Sequence, residues 1–348
     1  MYNNSMWRMP LCTPDFCVMS KNINILVIVI LVVFNLTSHA FADLLKNEFL
    51  TKAKQNNWKI FVGTGYSKTA FFLDLDGRYE PVFPNKNHII ELFFSPSGKR
   101  VAFLEDMESD GNFYYYLTIA NIDMSYKKSI QIQGDMLRHI VWSPSNENEI
   151  AFLSDYKYDN ESYTLYLFNI KHTSKKIIAK DLVSALGFPA FSWSPDGEKI
   201  VFTSTKGKIM SVNKDGSKLQ LVCDDEGTVP AWSPDGAFIA YRQGRNYVEK
   251  FNDGSSKYSW TGSGKYYVVN IYTKERMEIF SNKIFDVFPL HVYTQPVWSP
   301  NGRYILLYKV YDLGFKTDFW VVNLDKRKVI YHFKSDVKPS TISWIESN

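Results

Sequence analysis

Neutral imidazole is the commonest protein ligand for a transition metal. Three histidines, His88, His139 and His291, each stand a few residues before an aromatic that opens a Ser-Pro pair. That placement raises a divalent-metal site held by the three, against ordinary hydrogen bonding of imidazoles in loops. A second candidate is "DMESDGN", where Asp106, Glu108 and Asp110 alternate like the opening of a calcium loop. The twelfth position in that register is Leu117, where a bidentate Glu belongs, so a solvated acidic loop is the competing reading. "GSGKYY", starting at Gly262, hints at a phosphate loop. It lacks Ser or Thr after the lysine and a helix to follow, and reads as a loop tip. No Gly-x-Ser-x-Gly elbow occurs anywhere, which leaves an α/β-hydrolase nucleophile without a place. No complete catalytic motif is present. Cys223 falls in a short β-type run and reads as a small buried hydrophobe.

The elements that must position these residues repeat. "FSWSPDGEKIVF", residues 191–202, recurs as "LFFSPSGKRVAFLED" from Leu92, "IVWSPSNENEIAFLSD" from Ile140, "PAWSPDGAFIAYRQG" from Pro230 and "PVWSPNGRYILLYKV" from Pro296. The pivotal aromatics Phe94, Trp142, Trp193, Trp232 and Trp298 are 48, 51, 39 and 66 residues apart. That suits a four-stranded unit with connections of variable length. A sixth copy is divided between the ends: "TISWIESN", with Trp344, supplies the strand into the motif, and "WKIFVGTG", starting at Trp58, the strand after it. The expectation is an all-β, six-bladed propeller of four-stranded blades over residues 58–348. Pairing of the C-terminal strand with the N-terminal strands would close the ring and leave no open sheet edge.

Within each copy, strand A leads into the aromatic, the Ser-Pro-Asp-Gly turn follows, and strands B, C and D come after. Pro presets φ, Asp accepts backbone N–H bonds and Gly takes φ > 0. The motif is therefore about folding. Function is sought in the connections. A–B and most C–D turns are brief, whereas B–C loops are long, the longest running from Arg242 to Lys265. Several D–A links, where the three histidines fall, are long as well. B–C and D–A connections of an up-and-down blade emerge at one end, so one face is elaborated and the other plain. The elaborated face carries Tyr114, Tyr156, Tyr158, Tyr247, Tyr258, Trp260, Tyr293, Tyr311 and Phe315. Such side chains suit a protein–protein hot spot or stacking on sugar rings, and also plain packing of loops on blade tops.

Composition agrees with the all-β reading: aromatics are 16% of the chain, and Val, Ile, Tyr, Phe and Thr crowd into short runs between turn residues. A formal charge of +4 over 348 residues, with no basic stripe in the sequence, argues against a nucleic-acid partner. Lys21, an apolar run from Ile25 to Leu36 and "TSHAFA" read as a signal peptide cleaved after Ala42, with residues 1–18 as an extension before Met19. The apolar run is shorter than the roughly twenty residues a spanning helix needs, although an uncleaved anchor is the alternative. Residues 43–57 are then a short lead-in. Cleavage leaves Cys223 as the single cysteine and a formal charge of +3, so no disulfide can staple the exported chain.

The Trp-Ser-Pro-Asp-Gly repeats resemble the TolB-type family of WD-like six-bladed propellers, and the resemblance covers about residues 58–348. It implies a periplasmic or secreted protein whose propeller holds an envelope protein. The α/β domain that precedes the propeller in that family has no counterpart in the short span between Ala42 and Trp58. A second resemblance, to propeller-fold oligogalacturonide lyases that use a metal held by channel histidines, gives His88, His139 and His291 their sharper reading. The leading expectation is a non-enzymatic interaction module for an envelope protein or peptide, without a cofactor and without stable membrane insertion. The alternative is a carbohydrate-active propeller, either a polysaccharide binder or a metal-dependent lyase with a divalent ion at the channel mouth.

Overall fold

The Ser-Pro-Asp-Gly segments fold into tight reversals, and the serine has a task of its own in them. Ser194 Oγ donates to Asp196 Oδ1 at 2.5 Å and accepts the Lys199 N–H at 2.9 Å, while the Glu198 N–H bonds Asp196 Oδ1 at 3.0 Å. Gly197 sits at φ +71°. Ser233 with Asp235, and Ser299 with Asn301, repeat the pattern. These bonds, with that from Ser194 foremost, hold the Asp196 carboxyl below the usual carboxylate range.

In the computed structural model, the residues described lie within 58–346, apart from several connecting segments, among them 64–69, 82–87, 184–190, 282–290 and 312–316. All regular structure among them is strand. One antiparallel sheet has the order β26-β1-β2-β3, from β1 (Trp58–Gly63), β2 (Ala70–Leu73), β3 (Tyr79–Pro81) and β26 (Thr341–Glu346). β26 pairs with β1 along its whole length, Trp58 opposite Glu346 and Ile60 opposite Trp344. The next sheet runs in chain order through β4 (His88–Phe94), β5 (Arg100–Ser109), β6 (Asn112–Asn121) and β7 (Lys127–Gln131). The third comprises β8 (Arg138–Trp142), β9 (Glu149–Lys157), β10 (Ser162–Asn169) and β11 (Ser174–Leu182).

A long strand, β15 (Gln220–Trp232), joins two further units. Its first part closes the sheet of β12 (Phe191–Trp193), β13 (Lys199–Thr203) and β14 (Lys208–Asn213), and its second part opens that of β16 (Phe238–Gln243), β19 (Tyr266–Asn270) and β20 (Arg276–Phe280). Between β16 and β19 lies a separate hairpin, β17 (Asn246–Lys250) with β18 (Ser256–Trp260). In the last sheet the incoming strand is divided into β21 (His291–Tyr293) and β22 (Val297–Trp298). Both pair with β23 (Tyr304–Tyr311), followed by β24 (Thr317–Asn323) and β25 (Lys328–Ser335).

The core lies between facing sheets. Leu104, Leu117 and Ile119 of one unit pack with Trp142, Ile150 and Phe152 of the next. Leu153 and Leu165 meet Phe191, Trp193 and Phe202 in the same way, and Ala240 and Val268 meet Ile305, Leu307 and Trp320. The A–B turns stand side by side along one face. The Ser97 N–H bonds Glu147 Oε1 at 3.1 Å, Gly197 lies against Ser145, Gly236 against Pro195 and Gly302 against Pro234. The brief turns therefore gather on one plain face, and the long B–C connections leave from the opposite end.

Candidate functional site

Several connections expected as loops are strands. β5 and β6 continue the ladder outward to Ser109 opposite Asn112, so Asp106 and Glu108 lie on an extended strand and not in the acidic loop anticipated for them. An extended ladder also denies the curled twelve-residue loop that a calcium site of that type needs. Asp110 and the "GSGKYY" segment through Ser263 lie outside the described residues. The Arg242–Lys265 insertion is likewise a hairpin for much of its length. Its register sets Asn246 opposite Trp260, Tyr247 opposite Ser259 and Val248 opposite Tyr258. Directly opposed residues share a face, so Tyr258 and Trp260 occupy one face of the ribbon and Tyr247 the other.

The remaining aromatics are dispersed. Tyr114, opposite Met107, is half-buried on β6. Tyr156, half-buried on β9, packs on Tyr163 with ring centroids 4.8 Å apart, which favours a packing role for that ring. Tyr158 and Phe315 fall outside the described residues. Tyr293 is opposite Lys309 and Tyr311 opposite His291. The ladder of the last sheet thus brings His291, Tyr293 and Tyr311 together, whereas Tyr114 and Tyr156 belong to other units.

The histidines are on incoming strands, not in the links that lead to them. His88 opens β4 opposite Asp106, and His291 opens β21. His139 is the second residue of β8, at φ 55°, where the ladder with β9 is irregular between Arg138 and Val141. It is 1% exposed. Burial, reinforced by the Arg138 charge, lowers its pKa to about 3, so the imidazole is neutral at neutral pH. Neutral is the protonation state a metal ligand requires. Among the described residues no group of three His, Cys, Asp or Glu side chains converges on one point. The side chains of His88 and His291 are outside that description.

Polar groups that the repeat pattern did not signal are buried between the sheets. Glu105 accepts the Thr118 hydroxyl at 2.5 Å and pairs with Lys127 at 3.3 Å. Arg242, Lys309 and Asp318 are buried on β16, β23 and β24, with Lys309 directly opposite Asp318. Nearer the surface, exposed Arg276 pairs with half-buried Asp225 and lies 4.3 Å from the Tyr267 ring centroid. Cys223 is partly buried beside the Tyr241 hydroxyl, 3.3 Å away, and burial foremost raises that phenol's pKa. Glu105 with Thr118, Lys309 with Asp318 and Arg276 with Asp225 are each brought together by the fold and not by adjacency in sequence.

No family model and no curated protein matches this sequence. Solved structures do. An oligogalacturonate lyase in complex with manganese aligns at TM-score 0.53 and 17% identity, over 76% of this chain and 74% of its own. An oligogalacturonate lyase from Vibrio parahaemolyticus aligns at 0.51 and 13%, over 75% and 73%. A putative TolB from Agrobacterium tumefaciens aligns at 0.48 and 14%, over 79% and 89%. At these identities the likeness speaks for the fold: an all-β chain of four-stranded antiparallel sheets with β-propeller neighbours. Among the described residues no helix is long and apolar enough to cross a membrane.

Proposed function

We propose that this chain is an exported six-bladed β-propeller, closed by β26 on β1, that holds a protein or peptide of the cell envelope on its elaborated face. The observation that carries the reading is the β17–β18 hairpin. Among the described residues it pairs with itself and with no strand of the repeating units, yet it bears Tyr247, Tyr258 and Trp260. A long insertion outside the repeat pattern, with large amphipathic residues, is what a binding element on a rigid scaffold requires. Tyr293 and Tyr311, on the last sheet, extend the candidate surface, with Tyr114, Tyr156 and Tyr158 as further members. The test is a pull-down from envelope extract with the purified protein and with a variant lacking the hairpin. A partner retained equally by both would overturn the assignment.

A second reading is a carbohydrate-active propeller with a divalent metal at His88, His139 and His291. It is favoured by the neutral, buried state of His139 and by the opening positions of His88 and His291 on incoming strands. Two structures of like fold are oligogalacturonate lyases, one of them in complex with manganese. Metal analysis of the purified protein separates the readings. A stoichiometric metal that is lost when these histidines are replaced would support the lyase over the interaction module.

A further inference from the structure

The plain face has a charge pattern that no single stretch of sequence displays. Among the described residues, the C–D turns at its rim lie in five separate places, after β6, β10, β14, β19 and β24. In these turns and the first residues of the strands that follow, Lys and Arg outnumber Asp and Glu by about three to one. The fold sets the first three of them side by side. Lys128 of β7 reaches Thr173 in the next unit's turn, Nζ to Oγ1 3.4 Å. Gly216, in the following turn, lies against the main chain of Ile177 and Ile178 on β11. The Lys176 charge contributes, after the Ser217 hydrogen bonds, to holding the Asp215 carboxyl below its ordinary range.

Lys171, Lys175, Lys176 and Lys218 are all exposed along this arc, and Lys326, Arg327 and Lys328 are exposed in the corresponding turn of the last unit. Two tyrosines stand among the cations: Tyr126 is 47% exposed and Tyr272 76%. Lysines on outermost strands guard a sheet edge against pairing. That role does not call for cations in the turns, nor for exposed tyrosines beside them. The A–B turns of the same face carry Glu147, Asp196, Glu198 and Asp235 beside Lys99, Arg100, Lys199 and Arg303, so the excess of cations lies at the rim, where it and the amphipathic rings match the headgroup layer of an anionic bilayer. There, lysines near the surface are attracted individually and tyrosines sit at headgroup level.

We propose that the plain face docks peripherally on anionic lipid, which leaves the elaborated face turned away from the bilayer. The proposal is independent of what the elaborated face binds. The test is co-sedimentation of the purified protein with vesicles of phosphatidylglycerol and phosphatidylcholine, and with phosphatidylcholine vesicles alone. Binding to the anionic vesicles is expected to be at least tenfold stronger and to be abolished at about 0.5 M salt, where charges are screened over a few ångströms. The triple variant Lys171→Glu, Lys176→Glu, Lys218→Glu is expected to lose at least tenfold in binding with an unchanged melting temperature. If that variant unfolds, the same residues changed to Gln supply the comparison. Equal binding to both vesicle types, no binding to either, or full binding by the folded variant would overturn the proposal. So would retention on soluble polyglutamate without vesicle binding, which would make the partner an acidic polymer.

Discussion

Trp193 donates its indole N–H to the main-chain oxygen of Val141, 3.2 Å away in the preceding unit. Trp142 does the same to Phe93 at 3.2 Å and Trp298 to Ala231 at 3.1 Å. Each acceptor is the residue before the pivotal aromatic of the unit before, so one bond steps repeatedly from sheet to sheet. Trp232 breaks the rule. Its Nε1 is buried without a hydrogen-bond partner among the described residues, while its main-chain N–H bonds Ser192 Oγ at 3.0 Å. A buried bond of this kind contributes about 1 kcal/mol, and an unpaired buried donor costs about 1–3 kcal/mol. Trp193→Phe is therefore expected to lower stability by about 1 kcal/mol or more beyond Trp232→Phe, measured by urea denaturation. Equal losses would show that the indole bond is not what joins the units.

Much of this arrangement was legible because it repeats. The pivots, the turn residues and the pairing of "TISWIESN" with "WKIFVGTG" are all visible as copies of one pattern, and the β26–β1 register follows it. What was hidden depended on tertiary neighbours. Asp224 to Gly227 has the composition of a turn, yet β15 runs straight through it. A Cβ at Gly227 would lie 2.6 Å from Tyr241 Cδ2 and 3.0 Å from Ile209 Cγ1, so that glycine serves close approach and not chain reversal. "EDMESDGNFYY" reads as a loop because it is acidic, although its two-residue Asp-Gly between strand-forming runs is a hairpin signal. The basic rim was invisible for another reason: its lysines are gathered by the sheet order and not by adjacency in sequence.

The closing strand gives the second prediction. β26 supplies the partner of β1 from Trp58 to Gly63, and with it one end strand of its sheet. Deleting residues 341–348 removes that ladder and bares an edge. A marked fall in melting temperature is expected, with loss of cooperativity across the whole chain. A truncated protein that melts like the intact one would mean that the fold does not depend on this pairing.

His139 gives the third. Folding holds its pKa near 3, against 6.5 when unrestrained. Below pH 6.5 the unfolded chain binds a proton that the fold excludes. The residue therefore imposes no penalty above about pH 7, and stability declines as the pH falls from 6.5 towards 3, at about 1.4 kcal/mol per pH unit. His139→Asn keeps a residue type that tolerates the positive φ at this position and removes the titration. Chemical denaturation at pH 7 and at pH 5 is expected to show a smaller difference for the variant than for the parent. An identical difference would assign the acid sensitivity to other groups.

The last prediction concerns the hairpin. Among the described residues β17 and β18 pair only with each other, while β16 and β19, on either side, pair directly from Phe238 opposite Asn270 to Arg242 opposite Tyr266. The β16–β19 ladder does not need the insertion to form. Replacing residues 246–262 by a short Gly-Ser link is thus expected to leave the melting temperature within a few degrees of the parent. Partner affinity is expected to fall by about 2 kcal/mol or more, the scale of a Trp or Tyr anchor at the centre of an interface. Because Tyr258 and Trp260 share a ribbon face and Tyr247 lies on the other, single substitutions divide the effect. Trp260→Ala and Tyr258→Ala should weaken binding together, with Tyr247→Ala nearly neutral if one face meets the partner. Titration calorimetry against the captured partner measures all three. If Tyr247→Ala is the most damaging, the opposite face of the ribbon makes the contact.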